Sequence, residues 1–375
     1  MRKLKVCTVL GTRPEIIRLS RVIHKLDKYF DHSLIHTGQN YDYELNEVFF
    51  EDLELKAPNH YLESADKSSS ALNTIGNILI KLDPLLDRIK PDAMLILGDT
   101  NSSIASVAAK RKKIPIFHME AGNRSFDERV PEEINRRLVD HISDINLPYS
   151  SIAREYLISE GIPSNRVIKT GSPMYEVLDY FMPKIKKSTI LSKLNLKKNR
   201  FFVLSSHREE NIDFKFKELV DLISFLEGEY EIPIFVTCHP RTKAKFESES
   251  IKFSDKVILS KPLGFIDYVF LQMNAFIVLS DSGTISEESS ILNFPALNIR
   301  DSHERPEAME EGSVMMVGYD KKMITNAIEI LEKQGRGSKS ILNVVKDYQA
   351  KNVSEKVARI ILSYTDYVNK NIWKK

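Results

Sequence analysis

The sequence predicts an α/β protein made of two nucleotide-fold-like halves that present their strand tips to one cleft. Three observations lead there. Short, almost continuously apolar runs such as Val6-Cys7-Thr8-Val9-Leu10 and Met94-Leu95-Ile96-Leu97 have the length and make-up of parallel strands buried on both faces. Small or charged residues follow each run, then apolar residues at helical spacing, so strand and helix alternate. The alternation begins afresh at Phe201-Phe202-Val203-Leu204-Ser205-Ser206, and 375 residues exceed one ordinary core.

Bulk properties narrow the function classes. A hydrophobic content of 42% and a charged content of 28% are those of a soluble globular chain. The formal net charge of +2 gives no basic field to gather nucleic acid or anionic lipid. No run of about eighteen apolar residues offers membrane insertion, and Met1-Arg2-Lys3-Leu4-Lys5 leads into a strand rather than a signal peptide, so a cytoplasmic protein is expected. Cys7 and Cys238 lie in different halves and suggest neither a disulfide framework nor a metal-binding thiol pair.

The first half, residues 1–171, opens with the strand at Val6 to Leu10. Gly11-Thr12-Arg13-Pro14-Glu15 follows, and Ile16, Ile17, Leu19, Val22 and Ile23 then repeat as one helical face. Pro14 suits a first helical turn, where no amide partner is lost. Amides at this helix start, with Arg13 and Arg18, can hold an anion, although a plain strand-to-helix turn has the same look. Ser33-Leu34-Ile35-His36 is the second strand, and a helix from about 70 to 90 precedes Met94 to Leu97. That strand ends in Gly98-Asp99-Thr100-Asn101-Ser102, where Asp99 either serves chemistry or caps a helix over 104–112. Ile114 to Phe117 is the next strand.

From His118 to Arg137 the chain interleaves Glu120, Asp127, Glu128, Glu132 and Glu133 with Arg124, Arg129, Arg136 and Arg137. Ligands of open α/β sheets sit beyond the carboxyl ends of strands, so this charge falls where a site is expected. Pro131 followed by Glu132-Glu133 reads as a helix start. A solvated loop before a polar helix is the plainer reading; strand, acidic-basic loop and new helix together favour the floor of an active site. Ile145-Asn146-Leu147 and Arg166-Val167-Ile168-Lys169 read as strands around a helix at 151–160. Thr170-Gly171-Ser172-Pro173 reads as the bend into the second domain.

The second half, residues 172–353, delivers His207-Arg208-Glu209-Glu210-Asn211 at its first strand tip and Cys238-His239-Pro240-Arg241 at its second. A histidine at a strand tip beside charges suits acid/base work or anion binding better than a lone core histidine does. Phe276-Ile277-Val278-Leu279 ends in Ser280-Asp281-Ser282-Gly283-Thr284-Ile285-Ser286-Glu287-Glu288. Small residues there expose amides and the helix dipole favours a phosphate, while Glu287 or Glu288 one turn in can take ribose hydroxyls; ordinary caps have a similar composition. Pro295 to Ile299 is the next strand, with Arg300-Asp301-Ser302-His303-Glu304-Arg305-Pro306-Glu307 at its tip. Val357, Ile360, Ile361 and Tyr364 make one apolar face of a last helix, 354–375, expected to dock on the first domain.

One row of tips is thus rich in carboxylates (Asp99, Glu120, Glu132), the other in cations, a histidine and a phosphate-type helix start. That asymmetry suits a nucleotide sugar, with diphosphate on the second domain and sugar on the first. No G-x-G-x-x-G follows a strand, and neither a Walker-type lysine loop nor H-E-x-x-H spacing occurs, which disfavours dinucleotide oxidoreductases, P-loop enzymes and zinc hydrolases.

Gly11-Thr12-Arg13-Pro14-Glu15, Gly98-Asp99-Thr100, His118-Met119-Glu120-Ala121-Gly122, Pro131-Glu132-Glu133-Ile134-Asn135-Arg136, His207-Arg208-Glu209-Glu210-Asn211, Asp281-Ser282-Gly283 and Glu304-Arg305-Pro306-Glu307 resemble, in order, the motifs of the non-hydrolysing UDP-N-acetylglucosamine 2-epimerase family. The resemblance implies two Rossmann-like domains of the glycosyltransferase-B type with an interdomain cleft, a homodimer, and cofactor-free inversion at C2 of a UDP-2-acetamido sugar for surface polysaccharide precursors. It also implies roles. Asp99, Glu120 and Glu132 would be the sugar-side acid/base and charge-stabilising groups. His207 and Arg13 would assist the diphosphate, and Arg136 would support the carboxylates. Ser282, Gly283 and Glu288 would hold phosphate and ribose, with Arg18, His239 and Arg305 completing the substrate contacts. No metal and no cofactor are implied.

Several positions depart from the commonest pattern: Arg18 where a lysine is frequent, Thr284 for the second glycine of D-S-G-G, and Phe126-Asp127-Glu128-Arg129-Val130-Pro131 for the usual acidic-aromatic approach. With Glu120-Ala121-Gly122-Asn123-Arg124 and Gly171-Ser172-Pro173-Met174 they are more similar to the branch that makes UDP-N-acetyl-L-fucosamine from its L-talosamine epimer. Gln39 only partly matches the glutamine-rich loop that forms an allosteric substrate site in some members. A glycosyltransferase, a non-catalytic UDP-sugar binder and a hydrolysing epimerase are the competing classes; three carboxylates argue against the first, and product analysis separates the last.

Overall fold

The computed structural model describes residues 2–39, 43–65, 70–206, 215–238, 240–302 and 304–375. It divides into two compact units, Met1–Tyr180 with Asp347–Lys375, and Phe181–Lys346.

The first unit contains β1 (Lys5–Leu10), α1 (Arg13–Tyr29), β2 (Asp31–His36), α2 (Tyr43–Asp52), β3 (His60–Tyr61), α3 (Ala71–Ile89), β4 (Ala93–Leu97), α4 (Ala105–Arg111), β5 (Ile116–Met119), α5 (Pro131–Ile142), β6 (Ile145–Leu147), α6 (Ser151–Ser159) and the start of α7 (Met174–Ile185). Its parallel sheet runs β3-β2-β1-β4-β5-β6. The chain reverses its direction of travel across the sheet between β1 and β4, and the crevice outside those two tips is the place such folds use for ligands. Cys7 and Val9 pack under α3 and α4 with Met94, Ile96 and Ile116, while Val6 and Leu10 are buried on the opposite face. Burial on both faces is why these strands carry no polar alternation.

The strand expected at 114–117 lies later, at Ile116–Met119, and so takes in His118. At 166–169 a 3-10 turn, Ser164–Arg166, precedes one parallel bridge from Val167 to Asn146 instead of a strand. Arg166 there donates to the Ser143 and Asp144 carbonyls, both at 2.8 Å. Gly171 lies within the first unit. Its φ of +84° makes a left-handed turn, and a Cβ on it would lie 2.7 Å from that of Ala350, so the bend is packed against the returning chain. The last helix, Val353–Asn371, buries Val357, Ile361 and Val368 and packs on α1, where Glu355 meets Lys25 at 3.2 Å.

The second unit holds α8 (Ile190–Lys193), β7 (Phe202–Ser206), α9 (Phe216–Tyr230), β8 (Ile234–Cys238), α10 (Pro240–Ser248), β9 (Val257–Ser260), α11 (Phe265–Asn274), β10 (Ile277–Ser280), α12 (Ile285–Leu292), β11 (Ala296–Asn298), α13 (Pro306–Glu310), β12 (Met315–Met316) and α14 (Lys321–Glu332). Its parallel sheet runs β12-β11-β10-β7-β8-β9, the same winding, with the reversal between β7 and β10. Phe202 and Leu204 pack on one face with Leu219 and Leu222; Phe201 and Val203 pack on the other with Phe235 and Val278. Among the described residues no helix is long and apolar enough to cross a membrane.

Candidate active site

The tips of β4 and β5 bring the first charged cluster together. Gly98, at φ +69°, turns the chain out of β4, and its amide donates to the Met119 carbonyl at 2.9 Å. Glu120 follows β5 at φ +62°, a left-handed conformation that costs a non-glycine residue about 1 kcal/mol or more. Arg136, on the inner face of α5, secures it: Nη1 donates to the Glu120 carbonyl at 2.5 Å, while Nη2 reaches Glu120 Oε1 at 3.3 Å and pairs with Asp99. Arg18 from α1 donates to Glu120 Oε2 at 2.5 Å. Asn135 Nδ2 donates to the Asp99 carbonyl at 3.0 Å, which ties α5 to the β4 tip. Glu132 is half-buried on the helix face of Arg136, one turn earlier. The cap of the following turn is Thr100, its hydroxyl accepting from the Ser102 amide, while Asp99 pairs with Arg136.

Beneath this cluster lies a buried polar foundation. Asp140 accepts from the Gly122 amide at 3.1 Å and from Arg124 Nη1 at 2.7 Å, and stands 3.0 Å from His118 Nδ1. Burial alone raises its carboxyl, but the His118 ring and the Arg124 and Arg136 charges prevail and hold it below the ordinary range. The other ring nitrogen of His118 lies 2.8 Å from the Gly98 carbonyl, so this one side chain spans the supports of both tips. Arg124 also makes a two-point contact with Glu160, at 2.8 and 2.6 Å, and its hydrogen bonds lower that carboxyl too. Much of the charge between His118 and Arg137 is thus interior framework. Asp140 and His118 carry this framework although the sequence assigned them no role; the available signal was an aspartate on the inward face of α5, one turn beyond Arg136.

Arg13 is half-buried in the first turn of α1, with its guanidinium 5.9 Å from the Phe49 ring centroid. In the second unit, Ser206 donates to Asp281 at 3.3 Å across the β7–β10 reversal. Ser282 and Gly283 are half-buried in the turn before α12, where Ser282 Oγ accepts from the Thr284 amide at 3.3 Å. Glu288 accepts from Gln272 at 2.6 Å, and Arg305 pairs with Glu287 at 3.4 Å. His207 and His239 lie outside the described residues.

A family model described as UDP-N-acetylglucosamine 2-epimerase matches residues 24–362. The chain belongs to that family. It is an isomerase, of the non-hydrolysing 2-epimerases, and has their glycosyltransferase-B-type α/β fold. The UDP-N-acetylglucosamine 2-epimerase of Methanocaldococcus jannaschii is 35% identical over 375 residues, 97% of this chain and 100% of that protein. Among solved structures, the UDP-N-acetylglucosamine 2-epimerase from Rickettsia bellii superposes with a TM-score of 0.93 at 49% identity, covering 100% of both chains. The M. jannaschii epimerase in complex with UDP-GlcNAc and UDP gives 0.88 at 33% identity, covering 96% of this chain and 100% of that one.

Proposed function

We propose that this epimerase inverts C2 of UDP-N-acetylglucosamine to give UDP-N-acetylmannosamine, through loss and return of UDP. The observation that carries the reading is Asp99 and Glu120 gathered on one buried guanidinium, Arg136, at adjacent strand tips. The C2 proton is not beside a carbonyl, so direct removal is unfavourable. When the C1–O bond breaks, its electron pair leaves with UDP and C1 becomes oxocarbenium-like, which acidifies C2–H. A carboxylate takes that proton as the C1–C2 double bond forms, leaving a 2-acetamidoglycal. Protonation from the opposite face with return of UDP to C1 completes the inversion. Asp99, Glu120 and Glu132 are the groups for the proton and for the positive charge; Arg13 and His207 serve the leaving diphosphate.

For the nucleotide we assign the turn at Ser282 and Gly283. Apart from its chain neighbours, no described atom lies within 4 Å of a Cβ built on Gly283, so alanine fits there among the described residues. If a phosphate lies against this backbone, Gly283→Ala is expected to weaken UDP binding about tenfold, roughly 1.4 kcal/mol, with unchanged melting temperature. Isothermal titration calorimetry with UDP measures it; an unaltered affinity removes the assignment.

A second substrate reading, the 6-deoxy-L-talosamine nucleotide, is favoured by Thr284 and by the approach Phe126 to Pro131. Proton NMR in D2O decides between them. Deuterium at C2 of UDP-N-acetylglucosamine with a new N-acetylmannosamine signal is the expected result. Exchange only with the L-talosamine nucleotide selects the second reading, and exchange with neither overturns both.

A further inference from the structure

We propose that Glu15 is a positioning residue for this reaction, locking the β1 tip to the β4 tip so that Arg13 and Asp99 keep their places. The proposal rests on the epimerase reading for its kinetic consequence. Glu15 is 1% exposed and stands at the third position of α1. Its Oε2 accepts from the Gly11 amide at 2.8 Å, the Thr12 amide at 2.7 Å and the Thr12 hydroxyl at 2.8 Å. Those contacts are the reach-back of a capping box and would serve any helix start. The other oxygen does something a cap does not require: Oε1 accepts from the Thr100 hydroxyl at 2.9 Å, across the point where the sheet reverses.

Thr100 is the neighbour of Asp99 in the chain, as Arg13 is the neighbour of Thr12. The lock extends to β2. Ser102 Oγ is 2.7 Å from Thr37 Oγ1 and donates to Gln39 Oε1 at 2.8 Å. A Cβ on Gly11 would stand 2.0 Å from Thr37 Oγ1 and 2.3 Å from Ser102 Oγ, so glycine is what lets the three tips meet. Burial pushes the Glu15 carboxyl up to about 7, against the pull of its donors, so an ionisable group is kept here at some cost. A glutamine of the same shape can keep the cap with its oxygen and donate its amide N–H to the Thr100 hydroxyl, so a residue without either group, such as alanine, is what opens the lock from this side.

From the opposite side α5 holds Asp99, by Arg136 and by Asn135 on its carbonyl. Without the Thr100 bond the side-chain tie to the β1 tip beside Asp99 is lost, and Ser102, three residues on from Asp99, keeps its contacts with Thr37 and Gln39. Misplacement of a reacting group by about 1 Å can cost on the order of 100-fold in rate.

The test uses the full-length enzyme with Glu15→Ala, Thr100→Val and Thr100→Ser. Glu15→Ala and Thr100→Val are expected to lower kcat about 10- to 100-fold with KM changed less than about threefold. Thr100→Ser, which keeps the hydroxyl, restores the rate. Amide hydrogen exchange over 98–104 rises in the two impaired variants, and the melting temperature of Thr100→Val, which leaves the α1 cap intact, stays near wild type. Wild-type kcat in both Glu15→Ala and Thr100→Val, or exchange over 98–104 unchanged in both, overturns the proposal. If the wild-type enzyme itself shows no C2 exchange, the epimerase reading fails, and the amide exchange still reports whether Glu15 fixes the tip.

Discussion

Glu120→Gln is expected to lower kcat by about 1000-fold while UDP still binds, because the loss falls on proton transfer and charge stabilisation at the sugar. The amide keeps the shape and one acceptor but can neither take up a proton at neutral pH nor carry the negative charge that faces Arg18 and Arg136. The Glu120 backbone stays left-handed, since Arg136 holds its carbonyl and not only its side chain. The variant therefore tests the carboxylate more than the turn. Asp99→Asn and Glu132→Gln belong in the same experiment. Asp99 shares Arg136 with Glu120, so the effects of those two substitutions should not add: the double variant is expected to be little slower than the worse single one. Measured by single-turnover C2 exchange with circular dichroism as a folding control, near-normal turnover in all three single variants would sink the proposed roles.

The winding of the two units was legible because doubly buried parallel strands leave uninterrupted apolar runs, and those at residues 6–10, 94–97 and 201–206 fall on β1, β4 and β7. Short edge pieces were not: β3 is His60–Tyr61 and β12 is Met315–Met316, too brief for any periodicity. That Asp99 and Glu120 stand at strand tips was readable from the pattern, whereas the support Arg136 gives them was implied only by the family resemblance. How they are held was not readable, since pairing through space leaves no spacing rule. Glu15 is the exception, because Thr12-Arg13-Pro14-Glu15 has the S/T-x-x-E form of a capping box, which points to the local half of its contacts. The half that reaches Thr100 spans 85 residues and belongs to the sheet, not to the helix.

The largest expected effect on stability is at Asp140. This fully buried carboxylate faces Arg124, His118 and the Gly122 amide, and Arg136 is close enough to act on its charge. Asp140→Ala leaves the buried Arg124 with Glu160 as its remaining carboxylate and leaves the Gly122 amide without this acceptor, at a cost of about 3–5 kcal/mol. Asp140→Asn keeps the volume and one acceptor and should cost less, so the difference between the two variants separates the packing loss from the charge loss. Titration gives a third handle. The folded carboxyl lies below its unfolded value of about 3.9, so the folded state binds fewer protons than the unfolded state in that range. The contribution of the charge is complete at neutral pH and is lost as pH falls through the folded value. Urea unfolding of wild type and Asp140→Asn should therefore show the widest gap near pH 7 and a narrowing one below about pH 4. A gap that stays constant down to pH 3 would mean that Asp140 acts through shape and hydrogen bonding, and that its charge is not what holds Arg124 and the Glu120 turn in register.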